Sequence, residues 1–236
     1  MTTLETVMAE LEAKSNEDAL RIYRNQGYEG EAFGVRVGEL KKMVKGIKKD
    51  QDLVRALFDT GNADAQYLAG LAADPKTFTE QDLDAWADRA FWFWISEYSV
   101  AGVAAESGNG WDVALRWIED DRDHVSAAGW ATLTHCLSIT PDDQLDFATL
   151  ETLLTRVGDT IHDCPNRTRY AMNGFVLGAA AFTIPLLEQA KTVAAKIGKV
   201  NVDMGKTQCK VHLATTYIAK LEEKNRLGRK KKTARC

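Results

Sequence analysis

Apolar positions recur along this chain at helical rather than strand spacing. In TLETVMAELEAK, Leu4, Val7, Met8 and Leu11 stand at i, i+3, i+4 and i+7, which places them on one helix face. Asn16 follows as an N-cap for NEDALRIYRNQG, with Glu17 and Asp18 where the positive end of a helix favours acids. The same pattern predicts helices over 36–48, 51–59, 62–73, 79–105, 111–119, 124–138, 143–161, 166–181, 184–198 and 207–224. No alternating run of β-branched residues competes with them. The breaks carry turn chemistry: Asp74-Pro75, Ser107-Gly108-Asn109-Gly110, Thr140-Pro141, Cys164-Pro165, and Gly198 closing a helix.

Short helices joined by brief loops, with no long linker, predict antiparallel pairs stacked into a curved array. The pairs recur at roughly 35 to 45 residues, an irregular period like that of degenerate HEAT-type units. The expected fold is all-α, an α-α superhelix (solenoid) forming one domain over residues 1–224. Periodicity alone also leaves a compact all-α bundle open. Residues 225–236 lack an apolar stripe and belong to a basic stretch, KNRLGRKKKTARC, so a disordered tail ending in an exposed Cys236 thiol is expected.

At 236 residues and 45% hydrophobic content the chain can build its core without disulfides. Cys136, Cys164, Cys209 and Cys236 are scattered, with no CxxC pair and no signal peptide, which predicts reduced thiols and a cytoplasmic location. The longest apolar stretch, 174–187, is too short to span a membrane and contains Pro185. The net charge of −4 means that any polyanionic partner must be met by a local patch. Two such patches precede the basic tail. In RVGELKKMVKGIKK, Val37, Leu40, Met43 and Ile47 form the buried stripe, and Arg36, Lys41, Lys42 and Lys45 are left to face phosphates. In CPNRTRY, Arg167 and Arg169 sit near a helix N-terminus, whose free N–H groups favour anions.

Cofactor and metal chemistry finds no support in the sequence. No phosphate-binding glycine loop, dinucleotide fingerprint or GxSxG elbow is present, and Asp120, Asp121, Asp123 and His124 read as an N-cap region rather than a metal cluster. The unusual stretch is AFWFWISEY, residues 90–98. On a continuous helix its four consecutive rings point in four directions, so at least one is expected beside a groove. Glu97, at i+4 from Phe93 and i+3 from Trp94, would share a sector with those rings, and aromatic faces beside a carboxylate make a receptor for a flat cation.

With GEAFGVRVGELKKMVKGIKKD, the aromatic run ending in Glu97, and WIEDDRDHVSAAGWATLTHC, the chain resembles the DNA alkylation repair, AlkD-like, family of HEAT-like repeat proteins over residues 1 to about 222. The most specific of these residues are Phe33, Gly34, Val35, Arg36 and Leu40. The resemblance implies a metal-free and cofactor-free crescent that binds double-stranded DNA, alkylated or distorted, and removes purines alkylated at N3 or N7. Glu97 would be the catalytic carboxylate, with Trp92 and Trp94 contacting the lesion. The family's WxxxD arrangement is replaced here by Trp92 with Ser96, or Phe93 with Glu97. The family's arginine falls near Ala128 and its later groove tryptophan near Gly174 or Phe175, so neither side chain is present. The segment VDMGKTQCK is similar to a signature of one branch of the family; there Gly205 suits a tight turn and Lys206 and Lys210 offer phosphate contacts. Three functions stay open: a glycosylase, a non-catalytic binder of damaged or branched DNA, and a HEAT-type protein-interaction scaffold. A monomer is expected.

Overall fold

The structure, a computed structural model, describes residues 2–235. Among these it contains thirteen α-helices, short 3₁₀ turns, one π-helix and no strand. They are α1 (Leu4–Ala13), α2 (Glu17–Asn25), α3 (Val37–Ile47), α4 (Gln51–Asp59), α5 (Ala63–Ala72) and α6 (Glu80–Arg89), then the π-helix (Trp94–Val100) running into α7 (Ala101–Glu106). There follow α8 (Gly110–Trp117), α9 (Asp123–Ile139), α10 (Phe147–Thr160), α11 (Asn166–Phe182), α12 (Leu187–Ile197) and α13 (Ala214–Glu223).

Packing sorts these helices into two layers. The helices α3, α5, the π-helix with α7, α9, α11 and α13 pack side by side as one layer, and α4, α6, α8, α10 and α12 alternate with them as the other. The apolar interior runs between the layers as two clusters that meet at α8 and α9, with Phe58, Trp130 and Phe175 among the largest fully buried side chains. No single helix is long and apolar enough to cross a membrane.

The motif Phe33-Gly34-Val35-Arg36 has a structural cause. Asp64 is 1% exposed at the start of α5, and its carboxylate accepts the backbone N–H groups of Phe33, Gly34 and Val35 at 2.7, 2.9 and 2.8 Å. The Tyr23 hydroxyl donates from α2 to the same carboxylate at 3.1 Å. Gly34 takes φ +75°, and a Cβ there would sit 2.6 Å from the backbone of Asn16 and Leu20, so the loop requires glycine at this point.

Three stretches differ from the helices expected of the sequence. The helix predicted over 79–105 breaks after Arg89, and residues 90–92 leave the helix before the chain re-enters it at Phe93 and continues as the π-helix. The helix predicted over 207–224 begins only at Ala214, because residues 199–213 form an extended strap. The tail expected to be disordered is docked as far as Arg235; Cys236 lies outside the described residues.

Candidate nucleic-acid interface

The break at residues 90–92 determines how the aromatic run is arranged. Off the helix, Trp92 comes into near-parallel stacking with Trp94 at the start of the π-helix, centroids 5.0 Å apart at 13°, a geometry that i and i+2 positions on an α-helix do not allow. Tyr23 and Tyr28, each 4.7 Å from the Trp92 ring, enclose it. Trp92 is thus buried and Trp94 half-buried, and the ring left outside is Phe91, 75% exposed beside His124. The expected uncovered ring is thus Phe91, while the indoles pack on the N-terminal tyrosines.

Glu97 does share its sector with aromatic rings and a flat cation, but the cation belongs to the chain itself. Arg167 reaches across from α11 and donates Nε to Glu97 Oε1 at 2.7 Å and Nη2 to Oε2 at 2.8 Å, a bidentate pair. Its guanidinium lies 4.2 Å from the Phe93 centroid and 4.3 Å from that of Tyr170, held between the two. Glu97 is 5% exposed. Burial raises its carboxyl to about 7, and the opposing charge and hydrogen bonds of Arg167 only partly counter this. Winding as a π-helix, residues 94–100 turn less per residue than an α-helix, which carries Glu97 away from Trp94 and towards α11.

The N-terminus of α11, expected as a phosphate site, is already filled. Asp123, the first residue of α9, accepts the N–H groups of Arg167 and Thr168 at 3.0 and 2.7 Å. Arg169 is half-buried, and its Nε is buried without a hydrogen-bond partner among the described residues. Asp120 pairs with Arg122, and His124 faces the Asp88 carbonyl.

In front of this cluster runs the strap. Gly198 ends α12 at φ +54° and releases the chain. Asn166 then grips Asp203 through two hydrogen bonds of 2.7 and 3.0 Å. Gly205, at φ +69°, presses on the end of α2: its missing Cβ would stand 2.3 Å from the Asn25 oxygen, which accepts the Lys206 N–H at 2.6 Å. The C-terminal part of the chain thereby touches its N-terminal part and closes the front of the cluster. A cavity of about 530 Å³ remains behind the strap, lined by Phe93, Trp94, Tyr98, Tyr170, Met204 and Lys210, among others.

Of the residues singled out from the sequence, Trp92, Trp94, Arg167 and Lys210 meet at this cavity, with Glu97 behind Arg167. Lys206 is exposed on the strap beside it. Arg36, Lys41, Lys42 and Lys45 are exposed on and around α3 and do not line it; Lys42 is held by Glu39 at 2.6 Å. Sequence reasoning missed Asp123, Tyr170 and the Asn166–Asp203 tether. Asp123 and the tether act through partners 37 or more residues away, which no local pattern marks, whereas Tyr170 holds Arg167 one turn before it on α11.

A family model described as DNA alkylation repair enzyme matches residues 7–181. An uncharacterized protein of Listeria monocytogenes serovar 1/2a is 32% identical over 232 residues, covering 96% of this chain and 100% of the relative. One of Listeria innocua serovar 6a is 32% identical over 226 residues, covering 93% of this chain and 97% of the relative. Among solved structures, one from a new family of proteins related to the HEAT-like repeat DNA glycosylases, with affinity for branched DNA structures, superposes with a TM-score of 0.91. It is 37% identical, with 100% of both chains covered.

Proposed function

The chain belongs to the DNA alkylation repair enzyme family, and we propose that within it this protein binds branched DNA and does not excise bases. The carrying observation is the Glu97–Arg167 pair. A carboxylate that stabilises an oxocarbenium-like sugar must be ionised and must face it. Glu97 is buried, and both of its oxygens are engaged by the chain's own guanidinium, so it does not face a sugar. Phe93 and Tyr170, which elsewhere would suit a cationic base, already hold that guanidinium. The similarity to a protein with affinity for branched DNA supports the same reading.

Affinity on this reading comes from phosphates. Lys206 and Lys210 are exposed on the strap and carry no ion pair among the described residues, so they are free to displace counterions. The test is a binding titration by fluorescence anisotropy at several salt concentrations, with a four-way junction and a linear duplex of the same sequence. The junction is expected to bind more tightly. Lys206→Ala with Lys210→Ala is expected to lower the junction's salt slope by about 2, roughly one for each lost phosphate contact. Equal affinity for junction and duplex would overturn the proposal.

A further inference from the structure

The basic tail has no apolar stripe, yet it is hydrogen-bonded to the ends of α5, α7, α9 and α11. Its path begins at a helix end that sets its direction. Asn225 adopts φ +50°, and the Asn225 and Arg226 N–H groups return to the Glu222 and Leu221 carbonyls, a Schellman closure that turns the chain back from α13. From there it crosses the C-terminal ends of the inner-layer helices one after another. The Gly228 N–H donates to Ala181 at the end of α11, and Lys230 Nζ and the Lys231 N–H donate to Leu137 and Ser138 at the end of α9. Arg235 then donates to the Gly70 and Ala73 carbonyls at the end of α5, at 3.0 and 2.8 Å. Those ends carry unpaired carbonyls and the negative poles of the helix dipoles, which explains why a cationic strand lies there.

Arg235 is the anchor. Glu106 at the end of α7 accepts from the Ala234 and Arg235 N–H groups and from the guanidinium, at 2.7 to 3.1 Å. The site also has a shape that admits it: at Gly102 a Cβ would stand 2.6 Å from Arg235 Cγ. Lys230, Lys231 and Arg235 face the scaffold in these contacts. Lys224, Arg226, Arg229 and Lys232 are exposed and carry no ion pair among the described residues. A purely solubilising tail has no need to be pinned, whereas pinning holds four cations in a fixed row.

We propose that the docked tail is a second phosphate-binding ridge, in which Lys224, Arg226, Arg229 and Lys232 meet the backbone of a second duplex arm. This rests on the branched-DNA reading. The strap is tied to the N-terminal end of α11 and the tail lies along the C-terminal ends, so the two cationic edges stand about 25 Å apart, the length of a 17-residue helix. That is about twice the roughly 12 Å width of a major groove, which suits two arms leaving one branch point better than two phosphate rows across one groove.

Three variants test the ridge. Replacing Lys224, Arg226, Arg229 and Lys232 together with alanine is expected to lower the salt slope for a four-way junction by about 3.6, and that for a duplex far less. Gly102→Ala displaces Arg235 without altering charge, and inside a helix alanine is the better former. It is expected to weaken junction binding severalfold with the melting temperature and duplex affinity unchanged. Glu106→Gln removes an acid, so simple electrostatics would strengthen DNA binding; a weaker junction complex is expected instead, because the ridge loses its anchor. Junction affinity and salt slope unchanged in the quadruple variant, while Lys206→Ala with Lys210→Ala still weakens the complex, would overturn the ridge and leave branched-DNA binding standing. No junction preference in the wild-type protein would overturn both.

Discussion

Replacing Glu97 with alanine is expected to destabilise the fold by about 3–5 kcal/mol, the usual cost of removing one partner from a buried ion pair. Arg167 is only 17% exposed and would be left between Phe93 and Tyr170 with no carboxylate to receive its two N–H groups. If the pair is structural, Glu97→Leu with Arg167→Met should recover most of that loss, because apolar groups of similar volume need no pairing. Urea denaturation measures both, and a loss below about 1 kcal/mol in Glu97→Ala would show that the pair does not hold α11 to the π-helix. The pair also has a signature in pH. Burial places the folded carboxyl at about 7, above its ordinary 4.5, so between these values the native state holds a proton that the unfolded chain has released. The share of stability that comes from this native-state proton is therefore fullest below 4.5 and is lost as pH rises through 7, where the ionised pair with Arg167 remains. The margin of wild type over Glu97→Gln, which cannot titrate, is expected to be larger at pH 5 than at pH 8.

A loss of similar size is expected at the other end of the molecule. Asp64→Ala would strand the N–H groups of Phe33, Gly34 and Val35, while the Tyr23 hydroxyl would keep the Val35 carbonyl as its acceptor. Each orphaned buried donor costs about 1–3 kcal/mol, so about 3 kcal/mol or more is expected for the three N–H groups. That is a large part of a stability of ordinarily about 5–15 kcal/mol. Asp64→Asn keeps the shape but turns an amide towards backbone donors, and it is expected to lose most of the same stability. A midpoint in urea close to that of the wild type in both variants would contradict this role for the carboxylate.

Helix order, most boundaries and the layered solenoid were legible because they follow from apolar spacing and caps, which are local. Asn16, for example, caps α2 as its position predicts, accepting the Ala19 N–H at 3.0 Å. The break at residues 90–92 was not legible. No glycine or proline marks it, and what extracts Trp92 from the helix is its packing on Tyr23 and Tyr28, more than sixty residues away. Residues 207–213 of the strap were read as the start of a helix; contacts of the strap with Asn25 and Asn166 instead hold it extended. Hydropathy made the tail appear disordered, because it registers buried carbon and not the carbonyls and the Glu106 carboxylate that anchor a basic strand. At the site itself the pairing of Glu97 with Arg167, 70 residues on, was not legible. The aromatic faces and the carboxylate do surround a flat cation, and it is Arg167.

The most direct test is to follow free 3-methyladenine and 7-methylguanine released from methylated DNA at protein concentrations that saturate a four-way junction in a parallel titration. With Glu97 closed off by Arg167, junction binding is expected together with base release no faster than in the protein-free control. Release well above that control, abolished in a Glu97→Gln protein that remains folded, would contradict it and return the carboxylate to catalysis.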